Sequence, residues 1–454
     1  MQDTIASIST PIGEGGVGII RISGEDSFRV AEKVFRPRKQ KDWLSESYKM
    51  HYGHIVYPGT ENVIDEVLLS VMKSPHTYTR ENVVEINCHG GIVPLREALR
   101  AVLAAGARLA EPGEFTKRAF INGRIDLTQA ESVIDIIRSK TEASLKVALS
   151  QLGGGLSARI RKLQDKILGI LAELEVSIDF PEDDIDIKSK NEMSGLAGEI
   201  IQELNDLIDA AGRGRIYREG IRTVIAGRPN VGKSSLLNAL LGRERAIVTE
   251  IPGTTRDVIE ETINIKGIPL VLTDTAGLRE TSDLVERIGV EKTREILAGA
   301  DLVLFVVEAE EGITGEDREL IEKLEGKKTI LIINKMDLAD KKESLEYGDI
   351  PVVQISALKG QGINSLEDSI EKLITGGGAS APESIIISNV RHEEILFRAK
   401  KHMEEFFTSL EGDVSADLLS IDVRSAYEAL GEITGSTITE DLMDIIFSQF
   451  CIGK

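Results

Sequence analysis

An apolar run, TVIA (223–226), enters the loop GRPNVGKS (227–234) and leaves it as SLLNALL (235–241). This is a P-loop in its required strand–loop–helix setting. Glycines at 227 and 232 let backbone N–H groups wrap phosphates without a Cβ in the way, and the helix N-terminus adds a favourable dipole. Lys233 is placed to reach the β- and γ-phosphates, and Ser234 to hold Mg²⁺. Asn230, Val231, Gly232 and Ser235 complete the predicted phosphate cradle.

Three further segments specify the nucleotide. Asp274-Thr275-Ala276-Gly277 follows the strand-like LVLT, where the carboxylate can hold Mg²⁺ through water and the Gly277 N–H can sense a γ-phosphate. Asn334-Lys335-Met336-Asp337 follows TILII, and Ser356-Ala357-Leu358 follows VVQI. A carboxylate at Asp337 can accept from guanine N1–H and N2–H₂ together. Adenine lacks both donors, so it would leave that carboxylate unpaired. The Ser356–Leu358 loop is expected to cap the base carbonyl through a backbone N–H. Between the P-loop and Asp274 lies TEIPGTT, so Thr249, Glu250, Ile251, Pro252, Gly253, Thr254 and Thr255 form the expected switch loop, with the Thr255 hydroxyl a second Mg²⁺ ligand. Leu278 stands where many small GTPases carry a water-orienting glutamine. Glu286, in RETSDLVERIGVE, is a candidate for that role; by spacing alone it reads as an exposed helix carboxylate.

Around this core the pattern predicts a multidomain chain. Residues 221–375 alternate short Val/Ile-rich runs with helical stretches, which is the mark of a doubly wound, mostly parallel sheet. Residues 1–120 mix strand-like runs (17–23, 67–72, 82–89) with a helix over 96–107, an α+β domain. Residues 121–216 and 377–454 carry long amphipathic helices. The expected division is therefore 1–120, 121–216, 217–376 and 377–454, with the α/β unit inserted into a helical domain. FPEDDIDI (180–187) reads as an acidic turn and GGGASAPES (376–384) as a linker.

Net charge is −21, but residues 1–120 are balanced, with 15 basic and 15 acidic side chains. The excess acid lies beyond them and argues against a broad basic nucleic-acid groove. Two cysteines make no disulfide framework, and no apolar run is long enough for a membrane span, so a cytoplasmic protein is expected. The six histidines show no zinc-ligand spacing.

STPIGEGGVGIIRISG near the N-terminus, EPGEFTKRAFINGRIDLTQAE, the P-loop, IPGTTRDV, DTAGLRETSDLVERIG and the terminal FCIGK together resemble the tRNA-modification GTPase MnmE (TrmE) family across essentially the whole chain. The resemblance implies modification of the wobble uridine of certain tRNAs at carbon 5 with an aminomethyl-type group. It implies a homodimer joined through the N-terminal domains and a complex with the flavin- and NADH-dependent partner MnmG (GidA), a heterotetramer or larger. The one-carbon donor it implies is a 5,10-methylene- or 5-formyl-tetrahydrofolate. Arg21, Glu85, Arg124 and Lys454 are the folate-binding residues carried over, and Glu286 becomes the catalytic carboxylate. Asn230 resembles the residue that recruits potassium in cation-dependent GTPases, with Thr249, Ile251 and Thr254 donating oxygens; the alternative is that Asn230 only hydrogen-bonds phosphate. G domains that meet when GTP and potassium are bound would then activate hydrolysis. Cys451 is either a nucleophile or a small buried residue at a helix end.

Two other classes fit a GTPase core. A ribosome-assembly switch predicts a basic RNA-binding appendage, and the acidic helices after 384 do not supply one. A membrane-remodelling GTPase predicts a lipidation signal, which CIGK resembles only superficially.

Overall fold

The computed structural model describes residues 3–39, 42–180, 189–242, 261–272, 299–324, 326–339, 347–376, 387–412 and 414–454. The segments expected to form the acidic turn (181–187) and the linker (377–384) lie outside them.

The N-terminal unit is a seven-stranded sheet of β1 (Ile5–Ile8), β2 (Val17–Ser23), β3 (Phe35–Pro37), β4 (Met50–Val56), β5 (Val63–Met72), β6 (Val83–His89) and β7 (Arg108–Leu109), in the order β3-β4-β5-β6-β2-β1-β7. Neighbours are antiparallel except β1 and β7. Helices α1 (Ser27–Val34) and α2 (Ile92–Ala104) pack on it. The alternation in VGIIRIS decides which face is which: Ile20 and Ile22 are buried with Ala98 and Val102, so Arg21 must point to the other face. The register sets Arg21 directly opposite Glu85 on β6.

Helices α3 (Glu114–Ile121), α4 (Leu127–Arg138), α5 (Glu142–Leu152), α6 (Gly155–Asp179) and α7 (Lys190–Glu219) follow. The apolar spacing of LTQAESVIDIIRSKTEASLKVALSQL (127–152) runs on without a gap, yet the helix breaks at Ser139–Thr141. Thr141 takes an extended conformation and closes a capping box with Ser144, which satisfies the first N–H groups of a new helix. The expected helix at 96–107 starts earlier, at Ile92, and ends at Ala104.

A second sheet is built from β8 (Ile221–Ala226), β9 (Glu261–Ile265), β10 (Ile268–Leu272), β11 (Leu302–Glu308), β12 (Lys328–Asn334) and β13 (Val352–Gln354), in the order β13-β12-β11-β8-β10-β9. All pairings are parallel except β9 with β10. Helices α8 (Lys233–Leu241), α9 (Gly315–Glu322) and α10 (Ile363–Thr375) belong to the same unit. The strand order turns at β8, so the loops after β8 and β11 open a crevice at the carboxyl ends of the strands, where such sheets bind ligands.

Helices α11 (Val390–Leu410), α12 (Ala416–Thr434) and α13 (Glu440–Ser448) complete the chain. One core joins Ile160, Leu163, Ile167, Ile170 and Leu204 from before the α/β unit to Leu396, Met403, Phe406, Val423 and Leu430 from after it. The α/β unit is thus an insertion in a helical bundle. At its base a buried knot ties the two halves together. Glu131 of α4 accepts from Asn389 (3.0 Å), Arg391 (2.9 and 3.0 Å) and the ring of His392 (2.6 Å) at the start of α11. No helix among the described residues is long and apolar enough to cross a membrane.

Candidate functional site

The loop after β8 turns through three left-handed residues, Gly227 (φ 140°), Asn230 (φ 65°) and Gly232 (φ 98°). Two of these positions admit no side chain. A Cβ on Gly227 would lie 2.2 Å from the Val306 carbonyl, and one on Gly232 would lie 2.2 Å from Nδ2 of Asn334. Lys233 opens α8, and its Nζ donates to the carbonyls of Gly227 (2.8 Å) and Arg228 (2.7 Å) inside the loop. Burial pushes this amine below its ordinary pKa. An ammonium partly stripped of water and facing the loop's hollow is poised for a phosphate anion. Ser234 and Ser235, next on α8, are exposed at the mouth.

Sequence reasoning missed what holds the loop still. The Arg228 guanidinium is gripped by Asp317, fully buried at the start of α9, with Nε 3.1 Å from both carboxylate oxygens, and by Glu311 at 2.9 Å. Asp317 also accepts from the N–H (3.0 Å) and Oγ1 (2.8 Å) of Thr314. The signal was present as a T-x-x-D capping pattern at 314–317, though nothing local says that this carboxylate also reaches the P-loop.

The two loops expected to select the base lie side by side. Asn334, at the end of β12, is 2% exposed. Its Nδ2 donates to the Val231 carbonyl (2.9 Å) and its Oδ1 accepts from the Ala357 N–H (3.0 Å). One side chain therefore bolts the P-loop to the Ser356–Leu358 loop. It also engages the Ala357 N–H, one of the backbone donors of the loop expected to cap the base carbonyl. Asp337 accepts from Ser356 Oγ (2.6 Å) and lies 3.6 Å from the Lys359 ammonium. The Ser356 hydrogen bond outweighs desolvation and, with Lys359, holds this carboxyl below its ordinary range, so it is an acceptor at neutral pH. Lys335 (φ 61°) is tied back to Glu308 at 2.8 Å. Leu358 is exposed at the rim. Thr249, Glu250, Ile251, Pro252, Gly253, Thr254, Thr255, Asp274, Thr275, Ala276, Gly277 and Glu286 lie outside the described residues.

A second cluster forms on the open face of the N-terminal sheet. Arg21 Nε donates to Glu85 (2.9 Å), and its Nη1 reaches the Gly453 carbonyl (3.4 Å). Arg21 lies 5.7 Å from the ring centres of both Tyr78 and Phe115, while Arg124 lies 4.7 Å from Tyr78. Gly453 (φ 91°) sits so close to Ile8 that a Cβ would lie 2.3 Å from its carbonyl, and its own carbonyl accepts from Ser9 Oγ (3.2 Å). The C-terminal residues, Lys454 among them, are thereby pinned beside Arg21. Arg21, Glu85 and Arg124 gather within one or two contacts of Tyr78, although they are far apart in sequence, and Lys454 follows the Gly453 that Arg21 touches. Tyr78 and Phe115 were not singled out in the sequence, where a lone aromatic carries no signal. Cys451 is exposed, whereas Cys88 is buried among sheet residues and burial pushes its thiol up to about 12.

A P-loop in strand–loop–helix context, joined by Asn334 to the Ser356–Leu358 loop and inserted in a helical bundle, defines a P-loop GTPase of multidomain type. Family models match on both sides of it: the GTP-binding protein TrmE N-terminus over residues 4–124 and the MnmE helical domain over residues 127–451. Proteins called tRNA modification GTPase MnmE are similar over their whole length. The one from Desulforamulus reducens is 53% identical over 100% of both chains, and the one from Bacillus subtilis is 50% identical over 100% of both. The chain belongs to the tRNA modification GTPase MnmE family. Among solved structures, an Aquifex aeolicus Era variant bound to GDP and AlF₄⁻ is 30% identical, covering 40% of this chain and 67% of that one, with a TM-score of 0.28.

Proposed function

We propose that this protein hydrolyses GTP to drive modification of carbon 5 of the wobble uridine in certain tRNAs, with a tetrahydrofolate one-carbon donor and the flavoprotein MnmG as partner. In this reading it works in the cytoplasm as a homodimer. Residues 1–120 form the dimerisation and folate unit, 217–376 the GTPase unit, and 121–216 with 377–454 the helical frame.

The observation that carries the GTPase part is the Asn334 bridge. It ties the phosphate loop to the loop bearing Asp337, so phosphate grip and base choice form one rigid acceptor site. Lys233 would neutralise the β- and γ-phosphates. The hard hydroxyl oxygens of Ser234 and Thr255 suit Mg²⁺, which would supply charge neutralisation at the β–γ bridge. Asn230, held in the left-handed turn of the loop, suits a monovalent cation beside the phosphates, with oxygens from Thr249, Ile251 and Thr254; potassium there would do the electrostatic work of an arginine finger. Glu286 would orient the attacking water.

The folate part is supported by chemistry in the second cluster. Glu85 offers a carboxylate for a pterin's amide and amino edge, Tyr78 and Phe115 offer aromatic faces, and Arg21, Arg124 and Lys454 offer cations for a glutamyl tail.

The test compares binding of GTP and ATP, then GTP turnover in potassium and in sodium salts for the native chain and Asn230→Ala. A guanine preference with turnover faster in potassium, lost in Asn230→Ala, is expected. No preference between GTP and ATP would sink the GTPase reading, and equal rates in the two salts would remove potassium from it. Calorimetric titration with 5-formyl-tetrahydrofolate should show binding that Glu85→Gln weakens; heat unchanged by that variant would unseat the folate assignment.

A further inference from the structure

The strands β9 and β10 form a hairpin whose two turn residues, Lys266 (φ 50°) and Gly267 (φ 89°), are both left-handed, the geometry that matches strand twist. This turn is clamped from both sides. Within its own unit, the Lys266 ammonium pairs with Asp368 and with Glu371 (2.7 Å) on α10. From the helical frame, the corner between α4 and α5 reaches across. Thr141 Oγ1 donates to the Gly267 carbonyl (2.9 Å), and Lys140 Nζ donates to Thr262 Oγ1 (3.1 Å). The fit is close, since a Cβ on Gly267 would lie 3.0 Å from that of Ala143.

The hairpin is well placed to pass this contact on. Leu270, Val271 and Leu272 pair in parallel with Ile221, Arg222 and Thr223 of β8, the strand that runs into the P-loop. In sequence the hairpin continues directly into residues 251–260 on one side and 273–277 on the other, the stretches that carry Thr255 and Asp274. The hairpin is thus the described element next in sequence to both Thr255 and Asp274.

We propose that Thr141 and Lys140, in the helical frame, are positioning residues for GTP hydrolysis: they set the height of the β9–β10 hairpin and through it the groups that act on the γ-phosphate. This rests on the GTPase reading above. Nucleotide affinity, anchored on Lys233 and Asp337, is not served by this contact, so the effect belongs on turnover.

The test uses the full-length chain. Thr141→Val keeps the shape and deletes the hydroxyl, which donates to Gly267 and also caps α5 by accepting from the Ser144 N–H (3.1 Å), and Thr141→Ser restores both; Lys140→Gln, which touches the hairpin without capping a helix, isolates the contact. Affinity for a fluorescent GTP analogue, kcat and KM for GTP, and thermal melting are measured on the same samples. Loss of one such hydrogen bond predicts a kcat fall of roughly threefold to tenfold in Lys140→Gln, recovered in Lys140→Arg, and at least as large a fall in Thr141→Val. Affinity and KM should stay within twofold, and Thr141→Ser should recover the rate. Unchanged kcat in Lys140→Gln or in Thr141→Val, or an equal fall in Thr141→Ser, overturns the proposal. Should Thr141→Val fail to fold, Lys140→Gln with Lys140→Arg as its rescue is read alone by the same criteria. Absence of GTP binding in the native chain itself would instead overturn the GTPase reading.

Discussion

Asn334→Ala tests the rigidity on which the nucleotide site depends. The substitution removes two hydrogen bonds, to the Val231 carbonyl at 2.9 Å and from the Ala357 N–H at 3.0 Å. Val231 and Ala357 are themselves buried, so each backbone group is left without its partner. An orphaned buried polar group costs about 1–3 kcal/mol, which puts the pair at about 2–6 kcal/mol. Even the low end, about 2 kcal/mol, corresponds to roughly 30-fold in an equilibrium constant. That energy must appear either as weaker nucleotide binding or as a less stable α/β unit. Equilibrium titration with a fluorescent GDP analogue reads the first, and thermal melting with and without nucleotide reads the second. If stability takes all of it, melting should fall by about 4–8 °C for a unit of this size. If pre-organisation takes it, the melt moves little and affinity drops at least roughly 30-fold. Affinity and melting both indistinguishable from the native protein would show that the bridge holds nothing in place.

Asp337→Asn should lower GTP affinity by roughly 10²–10⁴-fold, because an amide cannot accept from two guanine donors at once; competition titration with GTP and ATP checks it, and a retained guanine preference would contradict the assignment. Gly232→Ala should abolish nucleotide binding with the helical frame still folded, since its Cβ would collide with Asn334; circular dichroism and the same titration read both. Glu131 should dominate acid stability of the helical frame. Burial pushes its carboxyl up, but the His392 ring and the Arg391 guanidinium outweigh burial and hold it down to about 2, against 4.5 unperturbed. A depressed folded pKa means that stability is complete above about pH 4.5 and is lost as pH falls toward 2, about 3 kcal/mol over that window, so urea midpoints should fall there in the native chain and fall less in Glu131→Gln. In a thiol titration at pH 8, Cys451 should react while Cys88, buried and with its thiol raised to about 12, stays silent until denaturant is added.

The GTPase unit was readable because its chemistry is local. Gly227, Gly232, Lys233 and Ser234 sit within eight residues, and a phosphate loop needs only a strand before it and a helix after it. The same holds for Asn334 and Asp337 and for the period of the long helices. Thr141 shows where local reading fails. Nothing in LTQAESVIDIIRSKTEASLKVALSQL demands a break, yet a capping box there satisfies the first N–H groups of α5 and turns the chain. The residues carried over for folate were available only through likeness to a family, because Arg21, Glu85, Arg124 and Lys454 have no common motif.

By itself, then, the amino-acid order determined what acts over a few residues: the phosphate-loop turn, the helix period and the two-sided helical flank. Tertiary structure alone decided which distant groups meet. The Asp317 carboxylate under Arg228, Tyr78 between two guanidinium groups, Glu131 closing the frame across the insertion, and Thr141 on the Gly267 carbonyl are contacts between elements. Such contacts depend on sheet register and helix packing, which bring together side chains whose positions in the sequence carry no shared period.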